Sequence, residues 1–218
     1  METPVTVHWF YLASALAMLF FPRQWMRFGK LRKRGHRKER ETMEKFAQDG
    51  ANDPEDKSVR LGRELRGLRN YLDFFRGALG AMALWEFSFT ADRDDWMVLT
   101  AKYLLLLVAV LIQTIRWRQR ITWFAAIFFF AGISVGMGNH VAGSLAFLLT
   151  CTINPVIPTP RVFVGAFGLL LLPFNYFLGD GGMLHASANM ALVLLPVLLS
   201  LLTKRPMVVF TRKRNLVW

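Results

Sequence analysis

WMVLTAKYLLLLVAVLIQTI, residues Trp96 to Ile115, carries one charge, at Lys102, and stops at Arg116-Trp117-Arg118-Gln119-Arg120. A run of this length crosses a ~30 Å hydrocarbon layer as a helix, because in lipid every backbone N–H and C=O must be satisfied within the segment. Six further apolar stretches flank it: Val5 to Phe21, Tyr71 to Phe89, Ile121 to Gly138, Val141 to Ile157, Val162 to Leu178 and Met183 to Thr203. The sequence therefore predicts an all-α, polytopic transmembrane helical bundle of about seven spans, with boundaries good to several residues. Residues 1–21 are the first transmembrane helix, 22–70 a basic cytoplasmic linker with an amphipathic helix, 71–203 a six-helix transmembrane core, and 204–218 a basic cytoplasmic tail.

Composition agrees with this division. Of 218 residues 54% are hydrophobic, with 19 Phe and 7 Trp, which fits one membrane domain better than a soluble core with an anchor. The formal charge of +12 borders the spans and does not form the basic face of a soluble domain, so nucleic acid is not an expected partner. The single cysteine, Cys151, lies inside an apolar run and reads as a packing residue. Met1 to Thr6 has no basic residue, and no small-residue cleavage site precedes Pro22-Arg23, so the first run is expected to stay as a helix.

Lysine and arginine set the orientation. Twenty-four of the 27 fall in four connections: fifteen between Pro22 and Leu72, three in Arg116 to Arg120, Arg161, and five in Lys204 to Arg214. The opposite connections hold Arg93 alone. The positive-inside rule then predicts N-out, C-in topology in a cell membrane of the bacterial cytoplasmic type. Trp9, Trp25, Trp85, Trp96, Trp117 and Trp123 lie near the span ends, where an indole buries its ring and keeps its N–H wet.

In the linker, the run Arg32-Lys33-Arg34-Gly35-His36-Arg37-Lys38 is a topology signal expected to meet anionic lipid headgroups. Asp53-Pro54-Glu55-Asp56 has the form of a helix start, with a capping acceptor, a proline that needs no N–H, and acids at the positive end of the dipole. From there Leu61, Leu65, Leu68, Leu72, Phe75 and Leu79 recur at helical spacing, with Arg60, Arg63, Arg66 and Arg69 on other positions. This stripe suits the cytoplasmic leaflet or a partner helix. A bend is expected near Gly67 or Gly77.

Polar residues inside a membrane are costly and mark function. His8, Glu86, Lys102, Ser134, Ser144, Asn175, His185, Ser187 and Asn189 fall within roughly 10 Å of the outer surface by helix rise, and Asn139, His140 and Asp180 at it. Glu86, Lys102, Ser134, His140, Asn175, His185 and Asn189 are therefore the candidate lining of an outward polar pocket. Lys102 is expected to pair with Glu86, Asp92, Asp94 or Asp95.

Two local resemblances bear on chemistry. His185-Ala-Ser-Ala-Asn189 resembles the HxxxN element of rhomboid intramembrane proteases, and Gly132-Ile-Ser134-Val-Gly136 offers a serine between glycines. The resemblance implies Ser134 as nucleophile, with His185 and Asn189 stabilising an oxyanion, although helix order and the last glycine depart from the rhomboid pattern. Tyr71-Leu72-Asp73-Phe74-Phe75-Arg76-Gly77 is similar to the LDxxRG opening of acyltransferase-3 membrane enzymes, without their following histidine. Asp73 and Arg76 also make an i,i+3 pair in their own right, with Arg69 as an i,i+4 partner.

His8, His140 and His185 share a depth but no ligand spacing, so neither metal nor cofactor is expected, and there is no phosphate loop. Gly77 to Ala81 and Gly132 to Gly138 supply surfaces for close helix approach, and Pro173 and Pro196 are expected to kink the last two spans. The function expected is a non-enzymatic binding, transport-accessory or complex-forming subunit, with lipids and other membrane subunits or a second copy as partners. The alternative is a membrane-embedded enzyme acting on membrane or lipid-linked substrates.

Overall fold

The computed structural model describes residues 5–23, 59, 61–90, 96–118, 120–137, 139–179, 181–205 and 207–209. They are mostly helical. The helices are α1 (Trp9–Phe20), α2 (Leu61–Glu64), α3 (Leu68–Met82), α4 (Trp96–Thr114), α5 (Ile127–Gly136), α6 (His140–Ile153), α7 (Pro160–Leu178) and α8 (Gly182–Leu202). A π-helical turn, Ala83–Phe87, extends α3, and a 3-10 turn, Asn154–Val156, extends α6. The basic run Arg32 to Lys38 and the expected helix start at Asp53 lie outside the described residues.

Among the described residues three helices are long and apolar enough to cross a membrane: α4, α7 and α8. Each matches its expected stretch within two residues, because continuous apolar sequence and terminal breakers coincide. Pro160 opens α7 behind Thr159, whose side chain accepts from the Val162 N–H at 3.3 Å. The shorter apolar helices α1, α5 and α6 depart from expectation more.

The clearest departure is the fourth stretch. Its first residues, Ile121 to Phe124, extend a strand, and only Ile127–Gly136 is α-helical. Every α5 residue but Val135 is buried. A ten-residue helix is about 15 Å long, and α5 is a core helix enclosed by its neighbours. Glycines make that enclosure possible. A Cβ on Gly132 would meet the Phe74 carbonyl oxygen at 2.2 Å, and one on Gly136 would meet that of Ala78 at 2.3 Å. The backbones of α3 and α5 are in contact, which no larger residue permits. Gly143 brings α6 equally close on the other side, 2.7 Å from the Ser134 backbone.

Two small sheets were not expected of an all-α chain. β1 (Thr6–Val7) pairs antiparallel with β2 (Phe89–Thr90) in register Thr6↔Thr90. β3 (Ile115–Arg118) and β4 (Arg120–Phe124) form an antiparallel hairpin, and β5 (Met207–Val208) adds parallel to β4 with Trp123 opposite Met207. Trp123 is buried and donates its indole N–H to Thr203 Oγ1 at 2.8 Å, fastening the hairpin to the end of α8.

α3 is packed inside out. Leu68, Leu72, Phe75 and Leu79 of the apolar stripe are exposed, Leu68 by 75%, whereas Asn70, Asp73, Gly77, Gly80 and Ala81 are buried. The polar and small face is the one turned to the protein. The bend falls at Gly67, whose extended backbone separates α2 from α3.

Candidate functional site

Polar side chains collect at the two ends of the bundle. At one end, α3 finishes in the π turn, which widens the helix by one hydrogen-bond register and leaves carbonyls without their α-helical donors. Lys102, on the second turn of α4, takes up one of them: its Nζ donates to the Trp85 carbonyl at 2.6 Å. The ammonium lies 5.2 Å from the centre of the Trp85 ring and 5.9 Å from that of Phe89, within cation–π range. Tyr103, next along α4, shares a 2.7 Å hydrogen bond with His185 Nδ1 from α8. The Trp85 ring meets Tyr103 edge-on at 5.3 Å and His185 at 5.4 Å. Three helices thus meet in one aromatic and cationic cluster, the histidine end.

Glu86 is exposed on the π turn and is the described acid whose charge acts on Lys102. The hydrogen-bond partner found for Lys102 is a backbone carbonyl. Asp92, Asp94 and Asp95 lie outside the described residues. A π turn has no sequence signature, which is why an acid was the natural expectation.

The other candidates separate. Ser134 and Asn189 do meet, Oγ to Oδ1 at 3.5 Å, but both are buried, Ser134 completely. His185 makes its hydrogen bond to Tyr103 and not to Ser134. Asn175 donates to the Leu171 carbonyl of its own helix at 2.8 Å. His140 is exposed at the start of α6, where Asn139 caps the helix by accepting from the Ala142 N–H at 2.9 Å. Among the described residues no group of three His, Cys, Asp or Glu has the arrangement of a metal site.

At the hairpin end the arrangement is closed. Asp73, 1% exposed, accepts from Arg76 Nε at 3.0 Å and pairs with Arg23 Nε at 2.8 Å. Arg76 also donates to Gln113 Oε1 at 2.7 Å and to the Phe21 carbonyl. Gln113 Nε2 donates at 3.0 Å to the carbonyls of Leu19 and Phe21, which α1 leaves open as it ends. Arg23 reaches on to Asn70, which donates to Glu64 at 2.7 Å. Burial lowers the Arg23 pKa, with the charges of Asp73 and Glu64 acting in the opposite direction. The Asp73–Arg76 pair was legible from spacing. Arg23 and Gln113 were not, since they arrive from elements 50 and 40 residues away in sequence.

No protein-family model, curated protein or solved structure matches this chain. The chemistry of the two ends has to carry the functional reading. The hairpin end holds paired charges and satisfied amides, an arrangement that ties α1, α3 and α4 together. At the histidine end an ammonium with three donors has one given to a carbonyl, beside an imidazole with one nitrogen engaged.

Proposed function

We propose that this chain is a seven-span membrane protein, N-out and C-in, in a bacterial-type cytoplasmic membrane, and that it acts as a non-enzymatic binding, transport-accessory or complex-forming subunit. Its pocket is the histidine end, open to the outer side. The segregation of charge supports the orientation: Arg23, Arg76, the hairpin, Arg161 and Arg205 gather at one end, and Lys102 is the described lysine or arginine at the other.

One observation carries the binding reading over the hydrolase reading: His185 is engaged by Tyr103, while Ser134 is sealed in the core against Asn189. A serine nucleophile needs a base within hydrogen-bond reach and a route for substrate. Lys102, Tyr103 and His185 instead make an aromatic cradle with donors to spare, suited to holding a polar or anionic group.

Two measurements test this. With Cys151→Ser as background, Thr3→Cys should label from outside only and Leu216→Cys from the cytoplasm only. Labelling of both from the same side removes the odd-span topology. A fluorophosphonate probe should leave Ser134 unmodified; modification that vanishes in Ser134→Ala returns the chain to the hydrolase reading.

A further inference from the structure

Among the described residues the large apolar side chains that are 71% exposed or more divide by type between the two ends of the bundle. Trp9, Phe10, Trp96 and Phe177 lie at the histidine end, on the starts of α1 and α4 and the end of α7, and all are aromatic. Leu68, Val156 and Leu202 lie at the hairpin end, and all are aliphatic. Exposed aromatic rings settle at the level of lipid headgroups, where one edge can be wet. Lys102 is six residues along α4 from Trp96, a rise of about 9 Å, and Leu184, next to His185, is itself 64% exposed. In a membrane the Lys102–His185 cluster therefore lies just beneath the headgroups, with lipid-facing surface beside it.

The cluster carries both signs of charge. Lys102 Nζ and the His185 ring both lie against Trp85, 5.2 and 5.4 Å from its centre. Gly181 lets the imidazole rest on the backbone at the start of α8, since an added Cβ would overlap its Cγ and Cδ2. When the Tyr103 phenol donates to Nδ1, Nε2 carries the ring proton and becomes a second donor beside the ammonium. Glu86 follows Trp85, whose carbonyl holds Nζ at 2.6 Å, so the Glu86 backbone is within about 6 Å of the ammonium. The Glu86 side chain is exposed, and Lys102 gives its hydrogen bond to the carbonyl and not to that acid. A cation and an acid thus stand side by side at headgroup level.

Resting on the topology and the binding site proposed above, we infer that the histidine end seats the zwitterionic headgroup of an outer-leaflet phospholipid, its phosphate on Lys102 Nζ and His185 Nε2 and its ammonium on Glu86. A headgroup with negative charge alone meets Glu86 as a like charge. One with a primary ammonium satisfies both sides and can donate to the carboxylate, which a quaternary ammonium cannot. The acyl chains then run along the exposed apolar surface that begins at Leu184.

The test uses the full chain purified in detergent, with phosphatidylethanolamine, phosphatidylcholine and phosphatidylglycerol of identical acyl chains added in equal amounts and the retained lipid read by native mass spectrometry. Phosphatidylethanolamine should be held in preference to the other two. Lys102→Met should weaken its retention by roughly tenfold or more, the size of one charge-assisted hydrogen bond. Glu86→Gln, at an exposed position, should abolish the preference. Retention that depends on Lys102 without favouring phosphatidylethanolamine, or a preference that survives Glu86→Gln, overturns the headgroup assignment and leaves the pocket standing. Displacement of the lipid by an equal concentration of glycerophosphoethanolamine, the same headgroup without chains, overturns the lipid source in favour of a free ligand. Retention indifferent to Lys102→Met overturns both the headgroup seat and the pocket.

Discussion

The two ends of this bundle treat buried polarity in opposite ways. At the hairpin end Asp73, Arg76, Arg23, Gln113 and Asn70 satisfy one another and the open carbonyls of α1, so this network has little left to offer a ligand. At the histidine end Lys102, Tyr103 and His185 are partly exposed and each has capacity beyond the bond it makes. A network closed on itself holds helices in place; one left partly open can recognise something. The contrast separates polarity satisfied within the protein from polarity left partly open, without appeal to any relative.

The largest expected effect falls on the closed end. Asp73→Asn removes the acid that lies between two buried guanidinium groups, leaving Glu64 to act on Arg23 alone, and removing one partner of a buried ion pair costs about 3–5 kcal/mol. Unfolding in mixed detergent micelles should show that loss. A loss under about 1 kcal/mol, typical of an exposed pair, would mean that water reaches Asp73 and that the two ends are alike.

Helix contact comes next. Gly132→Ala drives a Cβ into the Phe74 carbonyl, and such overpacking costs about 1–3 kcal/mol. Gly165→Ala on α7 is the control, because nothing lies within 4 Å of its added carbon. Equal thermal stability of the two variants would contradict the backbone contact between α3 and α5.

The smallest effect belongs to the open end. Lys102→Met loses the bond to the Trp85 carbonyl and the cation–π contacts, yet it also relieves a half-buried ammonium of its desolvation. The net change should stay below about 1 kcal/mol, since a hydrogen bond is worth about that much net. The cost should appear in ligand or partner binding, not in folding. A stability loss as large as that of Asp73→Asn would make Lys102 a structural residue.

Legibility followed the range of the interaction. α4, α7 and α8 were readable because apolar length and terminal breakers are local. The pairing of Asp73 with Arg76 was readable because three residues of helix bring them together. The hairpin carries a strand signal, since apolar and polar residues alternate from Ile115 to Arg118 and again from Arg120 to Trp123, but the same arginines also fit a loop between spans. That assignment also lengthened the fourth stretch. The burial of α3's polar face was hidden for a different reason. Hydrophobic periodicity identifies two faces of a helix, and in a membrane the apolar one turns away from the protein. Arg23 and Gln113 depend on where α1 ends against α4, which no local pattern encodes.

The π turn at Ala83–Phe87 makes length, and not composition, the sensitive variable of the histidine end. Each helical residue contributes about 100° of rotation, so deleting one residue between Met82 and Ser88 would let the turn relax into regular α-helix and swing everything after it around the axis. Hydropathy would hardly change. The Trp85 carbonyl would be drawn back into the helix ladder, and Lys102 would face a different register. Among homologues that diverge from this chain, a gap of a single residue here is the mark that would separate those that keep the aromatic cluster from those that keep only the helix.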